Sequence, residues 1–240
     1  MSKMLGDKIK ATVGAFNFGK NVHKNFEKHI TKSVPFYLEG HELITRLSSF
    51  FLVNNSLAYD LGCSTGKLVK DIYNYNKELK NIKIIGLDEE TKMVNHAKKY
   101  LSIFNKKNIN IIKKNIKDYN FKKCDFISSY YTIQFIKPKF RQKIFDKIYK
   151  CLNYGGGFII FEKNRGSDAR FQDIFTQLYN EFKLNQGISK DEIYNKSLSI
   201  RGVLEPFTYK ANIDFLKRAG FRDVNSIMQY GPFTGFLAIK

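Results

Sequence analysis

An α/β architecture built around one mostly parallel sheet of seven strands is what this chain predicts, and three observations carry the prediction. From Ala58 onward, short apolar runs alternate with stretches whose apolar residues recur at helical spacing. The run ending in Tyr59-Asp60-Leu61-Gly62-Cys63-Ser64-Thr65-Gly66 turns on two glycines straight into one of those helical stretches. The next apolar run, Ile82 to Leu87, ends on Asp88. Such alternation covers both faces of a parallel sheet, and strand, glycine turn, helix is the geometry of a nucleotide site.

Residues 1–55 stand before this unit. Val22, Phe26 and Ile30 share one helical face, Pro35 ends that pattern, and a second helix runs through Leu43, Ile44 and Leu47. This part reads as a helical lid, and residues 56–240 as the nucleotide-binding domain. Strands are expected near 58–62, 82–88, 109–113, 124–130 and 156–162, with helices near 67–79, 90–104 and 138–152. Leu68, Val69, Ile72 and Tyr75 form the buried face of the first of these helices. Gly155-Gly156-Gly157 is expected to stop the helix that buries Phe140, Ile144, Phe145, Ile148 and Leu152, and to return the chain to the strand Phe158–Phe161. A helical insertion then occupies about 164–219, too long for a plain connection. Its stripe of Phe171, Ile174, Phe175, Leu178, Tyr179 and Phe182 reads as core packing, and Ser189-Lys190-Asp191-Glu192 as a capping box. A last helix ends at Ala219-Gly220-Phe221, and two strands, the second through Phe236-Leu237-Ala238-Ile239, form an antiparallel pair at the sheet edge.

With 240 residues, the chain can bury a core without disulfides or metal. Cys63, Cys124 and Cys151 are widely spaced and the four histidines scattered, so no metal site is expected and a reducing, cytoplasmic setting fits. Apolar runs are too short to span a bilayer. Forty-one Lys and Arg against 22 Asp and Glu leave a net charge of +19, enough to attract polyanions such as RNA. The lysines are scattered, however, without an arginine-aromatic platform.

Charge selects the nucleotide. A dinucleotide site uses the G-x-G-x-x-G spacing and keeps anions away from its pyrophosphate. Here Asp60 precedes Gly62 and Gly66, which suits a ligand carrying an ammonium and a sulfonium, and Asp88 ends the next strand where a carboxylate accepts ribose hydroxyls. S-adenosylmethionine is therefore the expected ligand. Asp60, Asp88, Asn115, Tyr130 and Glu162 are all expected at carboxyl ends of strands, where ligands of open parallel sheets lie.

At this point the residues resemble a known family. Lys32-Ser33-Val34-Pro35, Asp60-Leu61-Gly62-Cys63-Ser64, Thr132-Ile133-Gln134-Phe135, Asp146-Lys147-Ile148-Tyr149, Glu162-Lys163 and Glu192-Ile193-Tyr194-Asn195-Lys196 are similar to segments of the carboxy-S-adenosylmethionine synthases. These are proteins of the class I methyltransferase (Rossmann-like) fold that serve uridine-5-oxyacetic acid formation in tRNA. The resemblance runs from about Asn25 to the C-terminus. It implies that Tyr37, Gly62, Cys63, Ser64 and Asp88 line the adenosyl ligand, with Glu89, Asn115, Ile116, Tyr130 and Ser197 at further ligand positions. Glu89 stands where the family has asparagine, Asn115 where it has aspartate, and Tyr130 where it has asparagine. Ser197 stands where the family has the arginine that pairs with the extra carboxylate of carboxy-S-adenosylmethionine.

A buried carboxylate without its cation is costly, so Ser197 tips the sequence reading toward ordinary methyl transfer from S-adenosylmethionine to a small or RNA-linked acceptor. Tyr130 would face the cation, Glu162 is the candidate base, and Arg201, one helical turn past Ser197, is the candidate substitute for the arginine. Carboxy-S-adenosylmethionine synthesis with prephenate as carboxyl donor is the alternative, followed by a non-catalytic ligand-binding module. The expected partners are a small-molecule substrate and a tRNA link, with direct RNA contact and homodimerisation left open and no membrane.

Overall fold

A computed structural model describes residues 3–4, 10–11 and 22–240, with side chains from Phe26 onward. Two helices lead: α1 (Val22–Ser33) and α2 (Tyr37–Ser48). There follow β1 (Leu57–Leu61), α3 (Lys67–Tyr75), β2 (Lys83–Asp88), α4 (Thr91–Tyr100), β3 (Ile109–Lys113), β4 (Cys124–Tyr130), α5 (Pro138–Cys151) and β5 (Leu152–Lys163). The chain ends with α6 (Ala169–Asn185), α7 (Lys190–Ser199), α8 (Tyr209–Ala219), β6 (Asp223–Tyr230) and β7 (Phe233–Ile239). Lys3–Met4 and Lys10–Ala11 form a separate two-residue antiparallel ladder.

The main sheet has the order β3-β2-β1-β4-β5-β7-β6. Its first five strands are parallel and β7 pairs antiparallel with both β5 and β6. Central strands are covered on both faces, which is why they read as apolar runs. Their alternate residues feed two cores. Ala58, Ile84, Phe126, Ile159 and Phe161 pack on the face under α2, α3 and α4, together with Ile44, Leu68 and Val94. Tyr59, Leu61, Ile127, Phe158 and Ile160 pack on the opposite face with Phe145 and Ile148 of α5 and Phe215 of α8. The Phe145 and Phe215 rings stack at 5.4 Å.

Two sequence expectations are corrected here. Gly155-Gly156-Gly157 does not stop a helix: α5 already ends at Cys151 and the glycines lie inside β5. The β4–β5 register passes from Cys124↔Leu152 to Phe126↔Gly157, so β5 carries the extra residues in a bulge. Gly157 is required by packing, since a Cβ there would lie 2.7 Å from the Phe51 ring, which stacks on Phe126. The second correction concerns α6, none of whose residues is buried. Phe171, Ile174 and Leu178 are 48, 52 and 40% exposed, while half-buried Tyr179 packs against the core, so the stripe is core packing only in part. A helical period reports that a face is apolar, not what lies against it.

Candidate functional site

A cavity of about 820 Å³ opens over the carboxyl ends of β1, β2 and β4, walled by α1, α6 and α7. It lies on the sheet face that carries Ala58, Ile84, Phe126 and Phe161. Strand parity therefore decides which side chains reach it, because residues two apart share a face. Asp60, Asp88, Tyr130 and Lys163 have that parity and all line the cavity, whereas Glu162 has the other.

The glycine loop is held by β2. Gly62 and Cys63 donate their amides to the Leu87 carbonyl at 2.7 and 2.9 Å. Gly62 has φ +76°, and a Cβ there would sit 2.2 Å from Thr132 Oγ1, so glycine alone fits this approach. Ser64 and Tyr131, both non-glycine, take φ +50° and +55° beside the cavity. Backbone in this sparsely populated region concentrates at ligand sites. Asp88 is oriented by two amides, Ser64 N donating to Oδ2 and Glu90 N to Oδ1, each at 2.9 Å. Burial nevertheless pushes its carboxyl above the usual range.

Asp60 and Glu27 supply negative charge with no cation of the described chain paired to either. Ser128 donates to Asp60 Oδ1 at 2.8 Å. Burial, opposed by that bond and reinforced by Asp88, pushes the Asp60 carboxyl up to about 7. Thr65 donates to Glu27 Oε1, while buried Glu27 Oε2 has no hydrogen-bond partner among the described residues. The Tyr37 hydroxyl is held neutral by burial and by the nearby Glu27 and Asp60 charges. An ammonium satisfies this set, and a ribose satisfies the remaining lone pairs of Asp88, so these residues fit S-adenosylmethionine. A testable consequence concerns pH. Because Asp60 must lose its proton to face an ammonium, affinity for S-adenosylmethionine should fall as pH drops below about 7, approaching tenfold per unit, and the Asp60→Asn variant should lose that slope in calorimetric titrations.

Tyr37, Asp60, Gly62, Cys63, Ser64, Asp88, Glu89, Asn115, Ile116, Tyr130 and Ser197 all line the cavity. Gly66, Glu162 and Arg201 do not. Gly66 has φ +83° and begins α3 against Leu101, so its glycine serves packing. Glu162 is buried on the other sheet face, where burial pushes its carboxyl up to about 8 despite Arg141. Arg201 lies exposed beyond α7. Asn115 donates its side-chain amide to Glu89, so these two cavity residues are partners. Tyr130 packs against Tyr37 at 4.9 Å and donates its hydroxyl to the Tyr37 carbonyl, tying the sheet to α2.

Glu27 and Lys183 line the cavity and escaped the sequence reading, and Lys163 and Lys196 line it as well. Lys196 lines the cavity beside Ser197. The signal for Lys163 was its parity with Phe161, and for Lys183 its place four residues after Tyr179 on one helix face. Among the described residues, no group of three His, Cys, Asp or Glu could hold a metal, and no helix is long and apolar enough to cross a membrane.

Residues 58–156 match the family described as Methyltransferase domain. The carboxy-S-adenosyl-L-methionine synthase of Staphylococcus epidermidis is 38% identical over 90% of this chain and 92% of its own length. That of Campylobacter lari is 36% identical over 94% of each. Among solved structures, human N-acetylserotonin methyltransferase in complex with SAM superposes with a TM-score of 0.58 at 20% identity, covering 83% of this chain. A putative O-methyltransferase of Nostoc punctiforme gives 0.62 at 16% identity over 92% of this chain. The chain spans only 51 and 61% of those two structures, which are like it in fold.

Proposed function

We propose, since this chain belongs to the carboxy-S-adenosyl-L-methionine synthase family, that it makes carboxy-S-adenosyl-L-methionine, placing a carboxyl group from a second substrate on the methyl carbon of S-adenosylmethionine. The coarser statement holds without the proposal: the chain is an S-adenosylmethionine-dependent transferase with the class I methyltransferase fold. Bound S-adenosylmethionine supplies a sulfonium-activated methyl carbon. The protein's own residues hold and enclose it. Asp60 and Glu27 receive its ammonium, Asp88 its ribose, and Tyr37, Tyr130 and Tyr131 wall the cavity with aromatic rings that exclude water.

The observation that carries the reading is that the cavity holding Asp60 and Asp88 is also lined by a wall of lysines, Lys163, Lys183 and Lys196, from β5, α6 and α7. A neutral methyl acceptor needs no such wall. A carboxyl donor and a carboxylated product do. The family arginine is absent, yet positive charge is not, and this outweighs the sequence reading that took Ser197 as evidence for plain methyl transfer. In this reading the product serves wobble-uridine modification in tRNA.

One observation favours ordinary methyl transfer instead. Ser197 offers no charge, and its hydroxyl donates to the Tyr194 carbonyl at 2.7 Å. Native mass spectrometry of the freshly purified chain separates the two readings. The expected ligand is heavier than S-adenosylmethionine by one carboxyl substituent, and incubation with S-adenosylmethionine and prephenate should generate it. Recovery of unmodified S-adenosylmethionine alone, with no new adenosyl product after incubation, would leave methyl transfer as the better account.

A further inference from the structure

Cys124 and Cys151 meet at the end of the sheet opposite the ligand cavity. Cys124 opens β4 and Cys151 closes α5, and the strand register that pairs Cys124 with Leu152 brings the preceding residue, Cys151, alongside. Cys124 Sγ lies 3.9 Å from Cys151 Sγ and 3.8 Å from the Cys151 carbonyl oxygen. Cys151 Sγ in turn reaches the Ile148 carbonyl at 3.2 Å. Both are free thiols, 0 and 6% exposed.

Packing alone asks for no more than two small apolar side chains here, yet two ammonium groups also bracket the last turn of α5. Lys123 Nζ donates to the Lys150 carbonyl at 2.9 Å, and Lys240 Nζ to the Tyr149 and Leu152 carbonyls at 2.7 and 2.8 Å. A helix C-terminus by itself disfavours a thiolate, and these cations oppose that effect. The hydrogen bond from Cys124, then the Lys240 and Lys123 charges, lower the Cys151 thiol against the effect of burial. The same bond, with burial, raises Cys124. One sulfur is therefore set up as the nucleophile and the other as its proton-bearing partner. Cys63 is the contrast: it lines the cavity, where burial and the Asp88 and Asp60 charges hold its thiol well above the ordinary value.

We propose that Cys124 and Cys151 form an oxidative modification site, a thiol pair that a small hydroperoxide converts to an intramolecular disulfide. The Cys151 thiolate attacks the terminal peroxide oxygen; the O–O bond breaks, Cys151 becomes a sulfenic acid, and the departing oxyanion takes a proton from water. Cys124, already in contact, then attacks the Cys151 sulfur. The S–S bond forms, the S–O bond breaks, and the hydroxide leaves as water with the Cys124 proton. The two thiols lose two electrons and the peroxide gains them. Starting from a contact of 3.9 Å, side-chain rotation has only a short way to bring the sulfurs to the roughly 2.05 Å of a disulfide. The stretch enclosed by the bridge carries Tyr130, Tyr131 and Gln134, which line the cavity, but the bridge itself lies at the other end of β4 and leaves the cavity open. The inference does not depend on which substrate the transferase takes.

The test exposes the reduced full chain to hydrogen peroxide, in an amount that oxidises glutathione, and follows it by intact mass and by alkylation in denaturant. The expected product is about 2 Da lighter and has a single alkylatable thiol instead of the three of the reduced chain, with Cys124 joined to Cys151 on peptide mapping. Dithiothreitol should reverse it. The bridge should raise Tm by roughly 5–10 °C, as expected for closing a loop of this length. In Cys124→Ala the oxidised Cys151 has no resolving partner and should be trapped by dimedone, whereas Cys151→Ala should give no adduct. Both variants should bind S-adenosylhomocysteine as the wild type does, which shows that they are folded. Three free thiols after peroxide, a bridge that includes Cys63, or a link between two chains overturns the proposal on the wild type alone. Equal dimedone labelling of the two variants overturns the assignment of Cys151 as the nucleophile, and a bridge that lowers Tm shows oxidative damage in place of a built site.

Discussion

Asp88→Ala is expected to weaken S-adenosylmethionine binding by about a hundredfold or more. Each oxygen of the Asp88 carboxylate already accepts one backbone amide, from Ser64 and from Glu90. The lone pairs left over are those a ribose would use. Removing the side chain deletes the ribose acceptors and also releases the Ser64 amide, which helps hold the glycine loop in its left-handed turn. Hydrogen bonds to charged groups contribute about 1.5–3 kcal/mol each, and two of them give roughly 3 kcal/mol or more, or about a hundredfold in Kd. Asp88→Asn, which keeps one acceptor, should lose about tenfold. Calorimetry reads both, and an Asp88→Ala affinity within threefold of wild type would remove Asp88 from the ligand site. Thermal stability of the ligand-free variant should change little, because the desolvation that raises the Asp88 carboxyl is relieved when the group is removed.

Arg141→Met should produce the largest loss of stability. Arg141 is 2% exposed and donates Nε to the Ile136 carbonyl at 2.7 Å and Nη2 to the Gln134 carbonyl at 2.8 Å. Its guanidinium lies 4.8 Å from the Phe207 ring. Gln134 is in turn a junction, since its side-chain oxygen accepts from the Lys163 amide at 2.8 Å and its carbonyl from Glu205. Two buried carbonyls would lose donors, at a cost of about 3 kcal/mol, so Tm should fall by roughly 6–12 °C for a chain of this size. The loss depends on pH. Burial pushes the Glu162 carboxyl up to about 8 even with Arg141 nearby, so Glu162 is largely protonated at neutrality. Its attraction to Arg141 exists once it ionises, and without Arg141 its folded value rises further. The gap in Tm between wild type and variant should therefore widen as pH rises from 6 to 9. A gap under 2 °C at every pH would show that the loop does not depend on this residue.

Much of this site could be read in the primary structure, for physical reasons that mark where such reading stops. The glycine loop, Asp60 and Asp88 were legible because a left-handed turn and a buried acid at a strand end are local facts. Tyr37 and Ser197 came from the family resemblance, not from local pattern. Glu162 was misplaced because its position at a strand end was weighed without its parity: Lys163, one residue on, shares the face of Ile159 and Phe161, and Glu162 shares that of Phe158 and Ile160. The exposed part of the α6 stripe, Phe171, Ile174 and Leu178, was misread because periodicity cannot say whether a neighbour exists. Lys183 and Glu27 are single charges on helices, and only the tertiary arrangement brings them to one cavity. Arg201 failed for a related reason: the turn after Ser197 had been assumed to stay helical, whereas α7 ends at Ser199.

The position of β7 has a consequence for how the protein comes into being. The last strand of the chain is not at the margin of the sheet but between β5 and β6, and its residues Phe236 and Ala238 are fully buried. A ribosome delivers the chain from its N-terminus, so the strands around the ligand site can pair while translation continues. β6 must wait, since the strand it pairs with in the sheet, β7, follows it in the chain. The nascent protein thus carries an unpaired strand until β7 has been made, and a chain that stopped before β7 would strand β6 and leave the flank of β5 open to aggregation.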